Sequence, residues 1–410
     1  MQTNFSQTLL ETRDGQQADR ILRSCVHCGF CTATCPTFLA TGNELDSPRG
    51  RIYLIKEMLE SGQASNITRT HLDRCLTCQS CETTCPSDVA YHQLLDIGKR
   101  QLDRLHSEGW WQKIRRKGLL FFLGNKMIFA STIKMATLVK GLLPQSLKNQ
   151  LPDSVSHKTA KQIATVPERK LFLLDGCVQK SLSPATNNST GRVLQKLGIQ
   201  ALKLKQENCC GALHYHAHAH EKGLQHARTL IDQILKVLED PEQDHKTIVV
   251  STASGCGNFM KNYPELFDAA DAYHAKALKV AARVRDISEV IADEDLSTLN
   301  VSGNSRVTYH PPCTLQHGQK LGGKVESIFE RLGNPLVPVE NAHLCCGSAG
   351  IYSLLQKGMS KKLQTEKINA LNATRPEKIA TANIGCQCHL SAVSDKPVKH
   401  WIEVLDEMSE

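Results

Sequence analysis

Two runs of cysteine in the first hundred residues have the types and spacing to do chemistry. Cys25, Cys28, Cys31 and Cys35 are followed by Pro36, and Cys75, Cys78, Cys81 and Cys85 by Pro86. Two-residue spacers let a short backbone wrap three thiolates around one face of a compact inorganic core. The fourth thiol stands three residues further on, where the proline turns the chain away. Thiolates are soft ligands suited to zinc or to iron–sulfur clusters. A structural zinc site takes four ligands and explains a C-x-x-C pair, but not a third cysteine at the same step or the proline. Iron–sulfur chemistry, the carriage of single electrons, uses the whole pattern.

The paired runs resemble the motif of two-cluster bacterial ferredoxins, in which three close thiolates hold one cubane and the fourth reaches across to the other. That resemblance assigns Cys25, Cys28, Cys31 and Cys85 to one [4Fe–4S] cluster. It assigns Cys35, Cys75, Cys78 and Cys81 to a second.

A further set of cysteines is duplicated. Cys177 is followed after 31 residues by Cys209-Cys210-Gly211 and then by Cys256; Cys313 is followed, again after 31 residues, by Cys345-Cys346-Gly347 and then by Cys386. Equal spacing twice favours a ligand or redox role for Cys177, Cys209, Cys210, Cys256, Cys313, Cys345, Cys346 and Cys386, with buried structural thiols as the alternative. Gly211 and Gly347 allow a close backbone approach to a ligand or to the next helix. Cys388 forms a C-x-C with Cys386 that the first copy lacks. His214, His216, His218 and His220 alternate without a counterpart in the second copy; on a helix they would form two i,i+4 pairs, and a solvated helix face is the expected reading. His310 and His317 flank Cys313, where they can tune a site or simply pack.

These residues need elements to hold them. Between the first two runs, Ser47 and Pro48 occupy N-cap and N1 positions; Ile52, Ile55, Met58 and Leu59 recur at helical spacing, and Gly62 supplies a stop. No strand alternation interrupts residues 1–100, so an all-helical, ferredoxin-like two-cluster domain is expected. Residues 101–168 read as a basic amphipathic connector running into a polar, proline-containing linker. Residues 169–300 and 301–410 are a tandem repeat of α/β cysteine-rich units. In each, apolar runs of four to six residues alternate with longer helical patterns, the signature of a mostly parallel sheet. The fold class is therefore α plus α/β, with the repeat cysteines on loops at one sheet edge.

The chain has 410 residues, 40% hydrophobic and 22% charged, and 17 cysteines, an odd number in a protein too large to be a disulfide-stapled miniprotein. The polar N-terminus has no apolar leader core, and no apolar stretch approaches the ~20 residues of a membrane span, so reduced thiols in the cytoplasm are expected. The net charge of +8 is concentrated in one place. Lys113, Arg115, Arg116, Lys117, Lys126, Lys134, Lys140 and Lys148 fall between Trp110 and Leu151 with no acidic residue among them. Beside Trp110, Trp111, Phe121 and Phe122, they suit a peripheral anionic membrane surface or an acidic partner across residues 110–150. Aromatic residues are only 5% and no reading motif accompanies the charge, which argues against nucleic acid. No G-x-G-x-x-G follows a strand, and no P-loop, G-x-S-x-G or H-E-x-x-H occurs, so neither flavin nor NAD is expected on this chain.

The wording of the motifs, CVHCGFCTATCPTF, DSPRGRIYLIKEM, CLTCQSCETTCPS and ENCCGALHYH, resembles the iron–sulfur subunit family of bacterial glycolate oxidase (glycolate dehydrogenase) over nearly the whole chain. Related layouts serve lactate utilisation, anaerobic glycerol-3-phosphate dehydrogenase and heterodisulfide (thiol/disulfide) reduction. The resemblance implies FAD-containing partner subunits that oxidise glycolate to glyoxylate. Electrons would then pass through two [4Fe–4S] clusters here toward quinone or another respiratory acceptor, at the inner face of the cytoplasmic membrane. In heterodisulfide reductase relatives a CCG motif ending in C-x-x-C holds a larger cluster. This sequence departs from that ending at Cys256-Gly257 and at Cys386-Gln387-Cys388, which leaves a third cluster in the repeats an open alternative.

Overall fold

The computed structural model describes residues 1–151, 169–241, 246–301 and 305–409. The chain forms two units. The first comprises Met1–Leu119, His216–His220 and His343–Lys367, and the second Leu120–Tyr215, Glu221–Ala342 and Ile368–Glu410.

The first unit is helical. Helix α1 (Arg13–Ser24) starts at Thr12, whose side chain accepts from the Gly15 amide, and stops at Cys25. Helix α2 (Pro48–Ser61) is capped by the Ser47 hydroxyl on the Gly50 amide, with Pro48 in its first turn, and ends on Gly62 at a φ of 67°. Its buried stripe contains the expected Ile52, Ile55, Met58 and Leu59. Helices α3 (Asn66–Asp73) and α4 (Tyr91–Leu105) close the bundle, and Ala18, Leu22, Leu72, Leu94, Leu95 and Leu102 fill it. Helices α2 and α4 touch at Gly98, where an added Cβ would lie 2.8 Å from Cγ1 of Ile55. The cysteine runs are thus loops pinned by helix ends.

The basic connector is helical too: α5 (Trp110–Gly124) and α6 (Lys126–Leu138). The polar linker expected up to residue 168 lies outside the described residues from 152 onward. Among the described residues no single helix is long and apolar enough to cross a membrane; only α5 and α6 taken together reach that length and composition, and they are broken at Asn125. The eight connector cations are not all available to a partner. Arg116 is buried and pairs with Glu108 at 2.9 Å, just outside the acid-free stretch. Arg115 donates to the Leu354 carbonyl and Lys126 to that of Glu207. Lys113, Lys117 and Lys134 are exposed, as are Trp110, Trp111, Phe121, Met127, Met135, Leu138 and Leu142.

The second unit holds two parallel sheets. Strands β1 (Arg169–Leu173), β2 (Ile199–Leu202), β3 (Val249–Ser251) and β4 (Val284–Asp286) run in the order β2-β1-β3-β4. Strands β5 (Val307–His310), β6 (Lys378–Thr381) and β7 (Val398–His400) run β5-β6-β7, and a parallel bridge from Thr308 to Val337 stands where β2 stands beside β1. The sequence repeat is therefore a repeat of topology. Strands β3 and β5 are wholly buried under helices, among them α7 (Pro184–Lys196) and α8 (His220–Leu238), whereas β1 opens with two exposed residues and β2 is buried only at Ile199. One continuous core joins the repeats, with Leu171, Val250 and Ile287 from the first, and Tyr309, Trp401 and Leu405 from the second. The matching ends of the repeats are the same strand–helix pair. β4 leads into α9 (Ile287–Ala292) capped by Asp286, and β7 into α10 (Trp401–Met408) capped by His400.

The histidine run corrects the expectation of a solvated helix face. A four-residue helix ends at Tyr215, residues 216–218 form a turn, and His218 sits at a φ of 60°. The His218 side chain, 8% exposed, lies in the first unit with Nε2 2.9 Å from Asp73 and Nδ1 2.8 Å from Asp103. Burial opposes its positive charge, but hydrogen bonds to Asp103 and Asp73 outweigh that and raise its pKa above the ordinary value.

Candidate functional site

Two cavities lie in the first unit. One, about 450 Å³ counting the solvent at its mouth, is lined by Cys25, Cys28, Cys31, Cys81 and Cys85. The other, of about 390 Å³, is lined by Cys35, Cys75, Cys78 and Cys81. Each cavity thus gathers three thiols from one run and the fourth cysteine of the other run. Pro48, Tyr91 and Cys81 line both, so the two spaces are neighbours.

The backbone explains how the spacers do this. In the first run His27 and Gly29 have φ values of 57° and 87°; in the second Thr77 and Gln79, at the same offsets, have 52° and 60°. Left-handed residues between cysteines bend the chain into a concave nest of amides, a shape that receives anionic iron–sulfur cores. Non-glycine residues rarely adopt this conformation, and the β-branched Thr77 least readily. Its recurrence at matched positions marks a shape the fold imposes.

The donor chemistry fits the clusters. Burial pushes the Cys31 thiol up to about 11, with its neighbours Cys25, Cys35 and Cys28 adding to the shift. Burial likewise raises Cys81 well above the ordinary thiol value, with Cys78 and Glu82 as further causes. Thiols packed this closely become thiolates only when cationic iron supplies the compensating charge. In the first set Cys28 is exposed, whereas no thiol of the second set is.

Sequence reasoning missed the charged and polar groups around the cavities. Arg51 is 1% exposed, and its Nη1 points at the Cys35 sulfur at 3.9 Å. Asp46, fully buried, holds His71 at 2.7 Å and Arg74 at 3.1 Å. The Tyr91 hydroxyl donates to the Cys75 sulfur at 3.7 Å. The available signal was the segment Asp46-Ser47-Pro48-Arg49-Gly50-Arg51, whose two arginines have no role in a helix start.

In the second unit the first repeat brings its cysteines together. The Cys177 sulfur lies 3.5 Å from that of Cys209, and Cys210 interacts with both Cys209 and Cys256. Cys209 also accepts the Gly211 amide at 3.5 Å. Cys177 and Cys256 follow β1 and β3, while Cys209 and Cys210 follow β2. Gly211 has a φ of 97°, and an added Cβ there would lie 2.4 Å from the Gly223 carbonyl oxygen in α8. Gly347 repeats this at φ 88°, 2.8 Å from the Ser360 carbonyl oxygen. In both copies the glycine therefore lets the motif press on the following helix backbone. In the second repeat Cys313 and Cys386 belong to the second unit, and Cys345 and Cys346 to the first. Cys388 is half-buried, and burial pushes its thiol up to about 12.

Comparison with known proteins agrees with both halves of this description. Residues 21–89 match the 4Fe-4S dicluster domain, and residues 172–261 and 307–391 each match the Cysteine-rich domain. The chain is 42% identical over 411 residues to the glycolate oxidase iron-sulfur subunit of Escherichia coli (strain K12), with all of both chains covered. The chain belongs to the glycolate oxidase iron–sulfur subunit family. It carries two [4Fe–4S] clusters, as the dicluster domain and its eight cysteines indicate. A second member, the probable glycolate oxidase iron-sulfur subunit of Bacillus subtilis (strain 168), is 30% identical over 89% of this chain and 87% of its own. Lactate utilization protein A of Exiguobacterium sp. (strain ATCC BAA-1283 / AT1b) is 26% identical over 59% of this chain and 98% of its own.

Proposed function

We propose that this chain is the electron-transfer subunit of a complex that oxidises glycolate to glyoxylate. It takes single electrons from FAD-containing partner subunits and passes them toward the quinone pool. Cys25, Cys28, Cys31 and Cys85 hold one [4Fe–4S] cluster, and Cys35, Cys75, Cys78 and Cys81 hold the other. The observation that carries this reading is the pair of adjacent thiol-lined cavities, each drawing cysteines from both runs and walled in common by Pro48, Tyr91 and Cys81. Iron–sulfur clusters accept and release one electron at a time with little change in structure. The chain's part is to hold the thiolates and, through the exposed Cys28, leave the first site within reach of a partner. Full-length identity to glycolate oxidase subunits supports glycolate as the donor of the complex. The exposed apolar residues and lysines of α5 and α6 support peripheral attachment to the inner face of the cytoplasmic membrane.

Anaerobic purification with the native partners provides the test. Glycolate, D-lactate, L-lactate and glycerol-3-phosphate are added separately, and bleaching of the cluster absorbance is recorded. Bleaching by glycolate is expected. Bleaching only by another donor would keep the electron-transfer role and change the substrate. No bleaching by any donor, in a complex that retains flavin and iron, would overturn the role itself.

A further inference from the structure

The two arginines of the Asp46–Arg51 segment serve the two cavities unequally. Arg49 lines the first cavity, is one-third exposed and is neutralised by Glu44 at 2.7 Å. Arg51, two residues on, lines the second. It is 1% exposed and held rigidly, with Nε donating to the His71 carbonyl at 2.7 Å and Nη2 to the Thr37 hydroxyl at 2.9 Å. Asp46, the carboxylate paired with it, lies 3.7 Å away and is also shared with Arg74 and His71, while Glu82, which lines the same cavity, is engaged by His92 at 2.9 Å. A buried guanidinium therefore stands against the second thiol set, whereas the cations at the first set, Arg49 and the N-terminal ammonium on the Cys25 carbonyl at 2.8 Å, are less buried.

We propose that Arg51 is a positioning residue for charge, one that sets the reduction potential of the second cluster above that of the first. Adding an electron makes a cluster more negative by one unit, and a fixed cation in a low-dielectric wall stabilises that state more than a solvated, paired one does. Arg49 and Arg51 thereby give two similar ligand sets different affinities for the electron. The second cluster is the thermodynamic sink, and the first, with its exposed Cys28, is the point of exchange with a partner.

This inference rests on the ligand sets proposed above, and the test separates the two. The intact complex is titrated anaerobically with redox mediators and the reduced clusters are followed by electron paramagnetic resonance, alongside an iron assay. Two reducible clusters with about eight irons per chain are required by the ligand sets; one cluster or four irons in the native complex would overturn them. For Arg51, the Arg51→Gln variant keeps hydrogen-bond donors but removes charge. It is expected to lower the reduced-to-oxidised ratio of the second cluster at least tenfold at fixed potential, about 59 mV for one electron, with the first unmoved. Arg51→Lys should stay near the native potential, and Asp46→Asn should shift the second cluster the opposite way. Equal shifts in the Gln and Lys variants, or an unmoved second cluster in Gln, would reduce Arg51 to a packing role. If the Gln variant does not retain iron, an unmoved potential in Asp46→Asn overturns the proposal.

Discussion

At the scale of single residues, the site is a set of thiols whose spacing is local and whose partnership is not. Cys78 lies in the second run and lines only the second cavity. Replacing it with serine removes one thiolate of four while leaving the first set intact. The Cys78→Ser variant is therefore expected to hold about four irons instead of about eight. Substrate-to-acceptor turnover should fall at least a hundredfold, while flavin reduction in the partner continues. Iron analysis and stopped-flow flavin absorbance check both, and full turnover would exclude a relay through the second cluster. Cysteines were legible in the sequence because ligand geometry demands fixed short spacers. Arg51, Asp46 and Tyr91 were not, because their roles depend on burial that arises only when α2 and α4 pack. In one dimension Arg49 and Arg51 look alike; in three, one pairs with Glu44 beside the first cavity and the other is buried against a sulfur of the second.

At the scale of elements, the repeats depend on how closely helices approach the cysteine loops. Gly211 presses on the carbonyl of Gly223, and neither the left-handed φ nor the 2.4 Å separation accommodates a side chain. Gly211→Ala should cost about 3 kcal/mol or more and displace Cys209 and Cys210 from Cys177 and Cys256. Urea unfolding of the second unit measures the first effect, and differential thiol labelling of the native protein the second. A change below ~1 kcal/mol would mean that α8 can retreat. The sequence offered two uses for this glycine, ligand approach or helix packing, and only the fold discriminates between them. It also offered the helix and strand pattern correctly, because parallel strands buried on both faces give short continuous apolar runs. The His214–His220 stretch misled because its spacing matches a helix face, yet the turn at 216–218 places His218 between Asp73 and Asp103. Nothing in sequence spacing reports so distant a pair of aspartates.

At the scale of the whole molecule, two kinds of charge set how the protein responds to its surroundings. Between the repeats, His400 is fully buried, with Nε2 donating to the Thr252 carbonyl at 2.9 Å and Nδ1 capping α10. Burial lowers its pKa to about 3, so the unfolded chain binds the proton more readily than the folded one. Its contribution is complete above the ordinary value near pH 6.5 and is lost as pH falls toward 3. The urea midpoint of the second unit should therefore drop between pH 7 and pH 5, and His400→Gln should flatten that slope; an unchanged slope would assign the acid sensitivity to other groups. The surface charge acts outward. A count of eight connector cations overstates the available charge, since Arg115, Arg116 and Lys126 are spent within the fold. Lys113, Lys117 and Lys134 remain exposed among Trp110, Trp111, Met127 and Met135. Each lysine near an anionic bilayer contributes about 1 kcal/mol of attraction, screened within a Debye length. Replacing these three with glutamine should weaken binding of the complex to phosphatidylserine-containing vesicles by roughly a hundredfold at low salt. Replacing Arg115 alone should have much less effect. Vesicle co-sedimentation over a salt series distinguishes these outcomes. If the triple variant sediments like the native complex, the lysines are bystanders and the exposed apolar residues of α5 and α6 cover a protein partner instead.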